Sequence, residues 1–454
     1  MNNPIDRRSF LKTGVLASAG IGLSSSLASI LKAQSAPAVG NPKGAPSRRV
    51  RVAVVGTNGR GLAHIEALGG IENVDLVYVA DVEDRALAKG MTAAGKASFP
   101  AAQSLKDFRK ALDDSSVDAI TIATPDHWHA PMTILALAAG KHVYVEKPCS
   151  QNPHEGELLL AAISRYAKLV QMGNQRRSFP NMQEAVAQIH AGAIGTPYYA
   201  RGWYDNHRPS IGHGEAIAVP ESLDYDLWQG PAPRRPYMSN LIHYNWHWFW
   251  HWGTGEALNN GTHELDICRW ALGVKFATKV TSTGGRYAFR DDWETPDTQV
   301  VGWEFGTDKA ISWEGRSCNG FPDNKLDRGA MIYGTAGSAL LENNNYTFFD
   351  EKNKVVKQVS EKSESQGTNT QSANGIRLDR LHVKNFIDSV RGEAQLTSPI
   401  SEGHLSVTLL HLGNIAQRVG RTLNCDPGNG RIINDADAMK LWQRTYEPGW
   451  EPKV

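Results

Sequence analysis

Val52-Ala53-Val54-Val55-Gly56-Thr57-Asn58-Gly59-Arg60-Gly61 is the stretch whose reading decides the fold. Val52, Val54 and Val55 form a β-branched run that reads as a buried parallel strand, and Gly56 ends it. A glycine-rich turn follows, then a helix-like segment over Leu62–Leu68. Glycines at such a turn let the chain bend sharply and let a phosphate approach the backbone. The helix N-terminus adds unpaired N–H groups and the positive end of a dipole. The dinucleotide fingerprint G-x-G-x-x-G has glycine where this chain has Asn58, and Gly59 comes one step later. Asparagine tolerates left-handed backbone angles better than most residues, so the turn is retained. A second apolar strand, Asp75–Ala80, runs into Asp81, 20 residues after Gly61. That is the spacing of an acid that bonds a ribose hydroxyl. The pattern predicts a dinucleotide site on Gly56, Asn58, Gly59, Arg60, Gly61 and Asp81. A carboxylate repels a 2′-phosphate, so Asp81 favours NAD, while nearby Arg60 and Arg85 leave NADP open.

Around this turn the chain has 454 residues, room for two domains. A net charge of +1 gives no electrostatic reason to expect nucleic acid. Cys149, Cys268, Cys318 and Cys425 lie far apart with no C-x-x-C, which reads as isolated buried thiols rather than a zinc cage or a redox pair. The first 36 residues read as a targeting segment: Arg7-Arg8 before Phe10-Leu11-Lys12, a mildly apolar run over Gly14–Leu31, then small residues where a peptidase can cut. They resemble a twin-arginine signal, which implies export to the periplasm; an uncut signal anchor is the alternative. Residues 37–48, rich in Pro, Gly and Ser, read as a linker. Beyond the signal, no apolar stretch reaches transmembrane length.

Residues 49–150 read as a Rossmann domain of β-α-β-α repeats, with helices over Arg85–Ala94, Ser104–Leu112 and Ala130–Ala139. Strand Ala119–Ala123 ends in Thr124-Pro125-Asp126-His127-Trp128-His129, and strand His142–Val145 ends in Glu146-Lys147-Pro148. Ligands bind beyond the carboxyl ends of such strands, so both endings share a rim with the glycine turn. Gly56-x-x-Gly59-Arg60-Gly61, Asp81, Thr124-Pro125-x-x-x-His129, Glu146-Lys147-Pro148 and Gly261-x-His263-x-x-Asp266 together resemble the glucose–fructose oxidoreductase/inositol dehydrogenase/MocA (Gfo/Idh/MocA) family. The resemblance implies an α/β fold: a Rossmann domain, then an α/β domain built on a large, mostly antiparallel sheet. It also implies a nicotinamide cofactor held by Thr124, Pro125, His129, Glu146 and Lys147 besides the turn, a sugar or cyclitol substrate, and a homodimer or homotetramer.

The second domain is expected over 151–454. Strands are predicted at Leu169–Met172, Pro197–Asp205, Val280–Phe289, Thr298–Phe305 and Ala310–Gly315. A further hairpin is predicted over Gly334–Leu341 and Thr347–Phe349, a polar mobile loop over 358–376, and closing helices over Leu378–Arg391 and His404–Val419. Hydride transfer from an alcohol needs a group that polarises the oxygen and a base for its proton. Lys147 fits the first role and His263 the second, with Asp266 three residues on to orient the imidazole or cap the helix. Many dehydrogenases of this type carry aspartate four residues before the histidine; this chain has Asn259, which can hydrogen-bond a hydroxyl but cannot take a proton. Candidate substrate contacts are Asn174, Arg176, Tyr204, Trp250, Asn259 and Asp266.

In His243–Trp252, Tyr244 and four tryptophans alternate with other residues. Extended, the segment presents one aromatic face for a sugar ring and another carrying His243, His247 and His251; structural packing is the plainer alternative. Helical, it would gather the three histidines for a metal, but no carboxylate sits at ligand spacing and no metal is expected. Trp203–Arg208 forms a second polar–aromatic cluster. Three functions follow as expectations. The first is an NAD(P)-dependent sugar or cyclitol oxidoreductase. The second is an exported glycosidase or epimerase that oxidises and re-reduces its substrate on tightly bound NAD, as the family's N-acetylgalactosaminidase group suggests. The third is a non-catalytic sugar-binding protein, motivated by Asn58 and Asn259.

Overall fold

The computed structural model describes residues 48–322, 325–361 and 373–454. The expected twin-arginine segment, the expected linker up to residue 47 and the middle of the polar stretch 358–376 lie outside the described residues. A parallel sheet comes first. Its strands are β1 (Val50–Val55), β2 (Val74–Ala80), β3 (Gln103–Leu105), β4 (Ala119–Ile122), β5 (His142–Val145) and β6 (Val170–Met172), in the order β3-β2-β1-β4-β5-β6. Val54 of β1 lies beside Val79 on one side and Thr121 on the other. Apart from Arg51 and Thr121, β1 and β4 are apolar because helices cover both faces. The helices are α1 (Arg60–Gly69), α2 (Asp84–Lys96), α3 (Asp126–Ala138) and α4 (Pro153–Tyr166).

The second sheet contains β7 (Pro197–Asp205), β8 (Lys279–Gly285), β9 (Thr298–Phe305), β10 (Lys309–Arg316), β11 (Arg328–Gly334), β12 (Gly337–Glu342), β13 (Asn345–Phe349), β14 (Val355–Val359) and β15 (Leu423–Asn424). Their order is β14-β13-β12-β11-β7-β10-β9-β8-β15, antiparallel except for β7 beside β10 among the described residues. Side chains alternate across it: Val301, Trp303, Ile311 and Trp313 are buried, while Val300 is exposed. Its buried face packs on helices α5 (Pro180–His190), α7 (Gly261–Leu272) and α9 (Ile400–Val419), with α6 (Gly255–Asn259) leading into α7 and α8 (Ala373–Arg391) lying against the first sheet; Trp303 Nε1 donates to the Leu409 carbonyl of α9 at 2.8 Å.

Four expectations need correction. Ser104–Leu112 is not one helix: Gln103–Leu105 pairs with the edge of β2, and only Arg109–Asp113 is helical. A three-residue edge strand has no readable period. β11 begins at Arg328, ahead of the expected hairpin, because it fills the place beside β7. Val355–Val359 is the last strand of that edge, so the polar loop starts later than residue 358. The parallel sheet also runs past residue 150 to Met172, and α8 from the far end of the chain packs on it: Val383, Phe386, Ile387 and Val390 share one core with Val50, Val54, Ile65 and Leu68. No described helix is long and apolar enough to cross a membrane.

Candidate active site

The carboxyl ends of β1, β2, β4 and β5 open into a cavity of about 640 Å³ whose opposite wall comes from the second sheet and its helices. Gly56, Asn58, Gly59, Arg60, Asp81, Thr124, Pro125, His129, Glu146 and Lys147 line it from the first sheet's rim, and Tyr204, Asn259 and His263 from across. Gly56 has φ +85°, and a Cβ there would stand 2.6 Å from the Ala123 carbonyl oxygen, so only glycine fits. Gly61 lies behind the lining, where α1 presses on the turn. Gly59 faces the other way: nothing lies within 4 Å of the position its Cβ would take. The turn thus offers bare backbone and the start of α1 to an anion. Asp81 holds the turn by accepting from Thr57 N at 2.6 Å and from Glu83 N at 3.1 Å. Burial nevertheless raises its pKa. The Thr124 hydroxyl is buried beside the cavity with no partner among the described residues. A bare phosphate cradle, an acid on the cavity wall at the end of β2 and an unused hydroxyl suit a dinucleotide.

Lys147 lies two residues beyond the end of β5 and reaches across to α6. Its Nζ donates to the Asn259 carbonyl at 2.5 Å and to Asn259 Oδ1 at 3.1 Å. Burial lowers its pKa from the usual lysine range. Asn259 is therefore the lysine's anchor, which a neutral amide can be without neutralising the ammonium. His263 stands in the first turn of α7 on the same cavity. Burial, followed by the nearby Arg328, Lys147 and Arg176 charges, holds its pKa well below the imidazole range. A neutral imidazole beside an ammonium is a base beside a hydrogen-bond donor.

Several predicted residues do other work. Arg60 pairs with Glu146 at 2.8 Å and with Asp379 of α8. Glu146 also meets His64 Nε2 at 2.9 Å and accepts from Gln175 Nε2 at 3.1 Å. Burial alone would raise the Glu146 pKa, but Arg60 and His64 hold it well below the carboxylate range. His129 sets its two ring nitrogens against the Pro148 and Thr124 carbonyls, at 2.6 and 2.7 Å, and so ties the two strand-end loops together. Asp266 does not orient His263. Spacing alone permits the contact, since three residues turn a helix by about 300° and leave the two side chains about 60° apart, but a buried arginine takes the carboxylate. Asp266 faces away, in a bidentate pair with Arg177 at 2.7 and 3.0 Å and a hydrogen bond from Ser406. Arg176 lies behind the lining against Glu264, at 3.3 Å, where burial brings its pKa down to about 10. Asn174 is also beneath the surface, its amide buried with no partner among the described residues. Trp250 points away from the cavity and stacks under Arg418, 4.9 Å from guanidinium to ring.

The aromatic stretch is not extended. Tyr244 takes φ 77° and Asn245–Trp248 forms a 3-10 turn, which separates the three histidines. His243 lies 3.4 Å from Glu83, His247 stacks on Trp246 with 3.5 Å between ring centres, and His251 bonds the Pro233 carbonyl. Among the described residues no group of three or more His, Cys, Asp or Glu is placed to hold a metal ion. Tyr244, Trp246 and His247 line the cavity instead of Trp250. Sequence reasoning missed Glu83, Gln175, Trp228 and Arg328, which also line it. Arg328 pairs with Glu264 at 2.8 Å and covers the Tyr204 ring at 4.9 Å. It belongs to β11, the strand whose start carried no readable alternation. Arg208, in the flagged Trp203–Arg208 cluster, does reach the wall, held by Glu256 at 2.7 Å.

The NAD-binding Rossmann-fold model of the Gfo/Idh/MocA oxidoreductase family matches residues 50–174, and the family's C-terminal alpha/beta domain model matches 209–282 and 352–452. An inositol 2-dehydrogenase of Rubrobacter xylanophilus is 34% identical over 162 residues, 35% of this chain and 45% of that protein. A glycosyl hydrolase family 109 protein of Solibacter usitatus is 30% identical over 212 residues, 45% of this chain and 47% of that protein. The matched stretch spans about half the length of these curated relatives. A levoglucosan dehydrogenase solved with NADH and L-sorbose superposes with a TM-score of 0.64 at 16% identity, covering 83% of this chain and 99% of that one. It shares the fold.

Proposed function

Because the chain belongs to the Gfo/Idh/MocA family of NAD-binding oxidoreductases, we propose that it acts on a carbinol carbon of a sugar, sugar derivative or cyclitol. The observation that carries this is the juxtaposition of Lys147, anchored on Asn259, with neutral His263 in the cavity that the glycine turn opens into. Bound there, NAD would supply the hydride acceptor. Lys147 donates a hydrogen bond to the substrate hydroxyl oxygen and stabilises the negative charge that grows on it. His263 takes the hydroxyl proton on a ring nitrogen. Tyr244 and His247 give the ring an aromatic wall, and Arg208 and Arg328 give it polar edges.

A second reading is redox-neutral: a glycosidase or epimerase that keeps its cofactor and restores it in each cycle. The similarity to glycosyl hydrolase family 109 proteins supports it. One experiment separates the two. Purified protein is denatured and any released nucleotide is identified and counted. Near-stoichiometric NAD or NADH, together with cleavage or epimerisation of a sugar without net NADH, selects the redox-neutral reading. Empty protein that binds added NAD and accumulates NADH with an alcohol substrate selects net oxidation. Empty protein that binds no nucleotide leaves only sugar binding.

Export by the twin-arginine route is part of the proposal and rests on Arg7-Arg8 before Phe10-Leu11-Lys12. Replacing both arginines by lysine should leave the protein in the cytoplasmic fraction; unchanged export would refute the route. A homodimer or homotetramer is proposed through the half-exposed face of the second sheet, where Tyr199 and Tyr333 stack at 5.5 Å.

A further inference from the structure

Between β7 and α6 the chain makes a long excursion that belongs to neither sheet. Part of it is self-packed: Leu223, Tyr225, Trp228, Ala232, Tyr237 and Leu241, with Trp252, form a small core apart from those of the sheets. Val82, the residue after Asp81, packs against that core. The excursion is also pinned to the β2–α2 connection by main-chain bonds. Asp84 N donates to the Ser222 carbonyl at 2.9 Å, Asp224 N donates to the Val82 carbonyl at 3.0 Å, and Glu83 bridges Leu223 antiparallel. On the far side, Trp128 Nε1 donates to the Trp228 carbonyl at 3.0 Å. At its end His243 returns to Glu83, 3.4 Å away.

This places Leu227, Trp228, His243 and Trp246 on the same cavity as Asp81 and Phe108. Asp81 is where a ribose is recognised, and apolar side chains beside it are what a purine needs. We propose that the segment Ser222–His243, with the Trp246 ring, is the roof of the adenosine half of the dinucleotide site and retains the nucleotide between turnovers. This rests on the dinucleotide reading above. The roof has its own core, and its ties to the first sheet run through the β2–α2 connection and the start of α3 at His127 and Trp128, so release requires those ties to open while both sheets stay folded.

The test compares wild type with His243→Ala, at an exposed position, and Trp246→Ala, at a half-buried one, both outside the sheets. The dissociation rate of NADH is read by fluorescence, and affinities are measured for ADP-ribose and for reduced nicotinamide mononucleotide. The expected result is faster NADH release and weaker ADP-ribose binding, each by about tenfold, with the mononucleotide unchanged. Unchanged NADH release and ADP-ribose affinity in both variants would overturn the roof. So would an equal loss of mononucleotide affinity, since the change would then act on the whole site. Wild type that binds neither NADH nor ADP-ribose would defeat the dinucleotide reading itself, which is a different failure.

Discussion

At the scale of single residues, the two groups in the proposed chemistry are tuned by one cause, which disfavours the cation of both although one works neutral and the other charged. Burial disfavours a charged group, so it makes His263 harder to protonate and Lys147 easier to deprotonate. The base works when neutral, and its depressed pKa keeps it neutral as pH falls through the ordinary imidazole value of about 6.5. The lysine works when charged, and its depressed pKa brings its loss below the ordinary value of about 10.4. The pH profile of kcat/KM for alcohol oxidation should therefore keep its plateau below pH 6.5 and fall early on the alkaline side. Lys147→Arg should remove the alkaline limb while lowering the rate, since a guanidinium does not titrate there. An acid limb at or above the ordinary imidazole value would show that His263 is not the base.

At the scale of elements, α7 carries His263 and is set by its contact with β10. A Cβ on Gly261 would stand 2.8 Å from the Trp313 ring, and Trp313 is fully buried. Neither can give way without moving the helix start. Gly261→Ala should reduce kcat by at least about tenfold, because a small displacement of a catalytic group is costly. NADH affinity should change little, since the glycine turn is on the other wall; equal loss of both would mean general damage. The turn was legible in sequence because its chemistry is local: strand, Gly56, and an acid 20 residues on from Gly61. β11 was not, because its place is set by pairing with β7, more than a hundred residues earlier.

At the scale of the whole molecule, the second sheet has one face under helices and one with Val300, Tyr199 and Tyr333 at least partly open. If that face pairs with a second copy, sedimentation should give a dimer or tetramer at micromolar concentration, and Val300→Lys with Tyr333→Lys should dissociate it. A monomer in wild type would rule this assembly out. The cavity also depends on the whole chain: its floor is fastened by Arg60 and Asp379, 319 residues apart. Asp379 stands in α8, and the core that α8 shares with β1 holds that helix against the first sheet.

The amino-acid sequence by itself determined the dinucleotide turn and the strand-end motifs, and it nominated the proposed pair Lys147 and His263. These are patterns of neighbouring residues, written by backbone sterics, strand burial and helix spacing. Only the tertiary structure decided what faces the cavity. It turned Asp266 toward Arg177, 89 residues away, gave Lys147 its anchor on Asn259, 112 residues away, and replaced Trp250 with Tyr244, Trp246 and His247. The physical reason is that a side chain's direction in an irregular segment, or on a helix packed from several sides, follows from which distant charges and surfaces it must satisfy. Spacing along the chain carries no record of them.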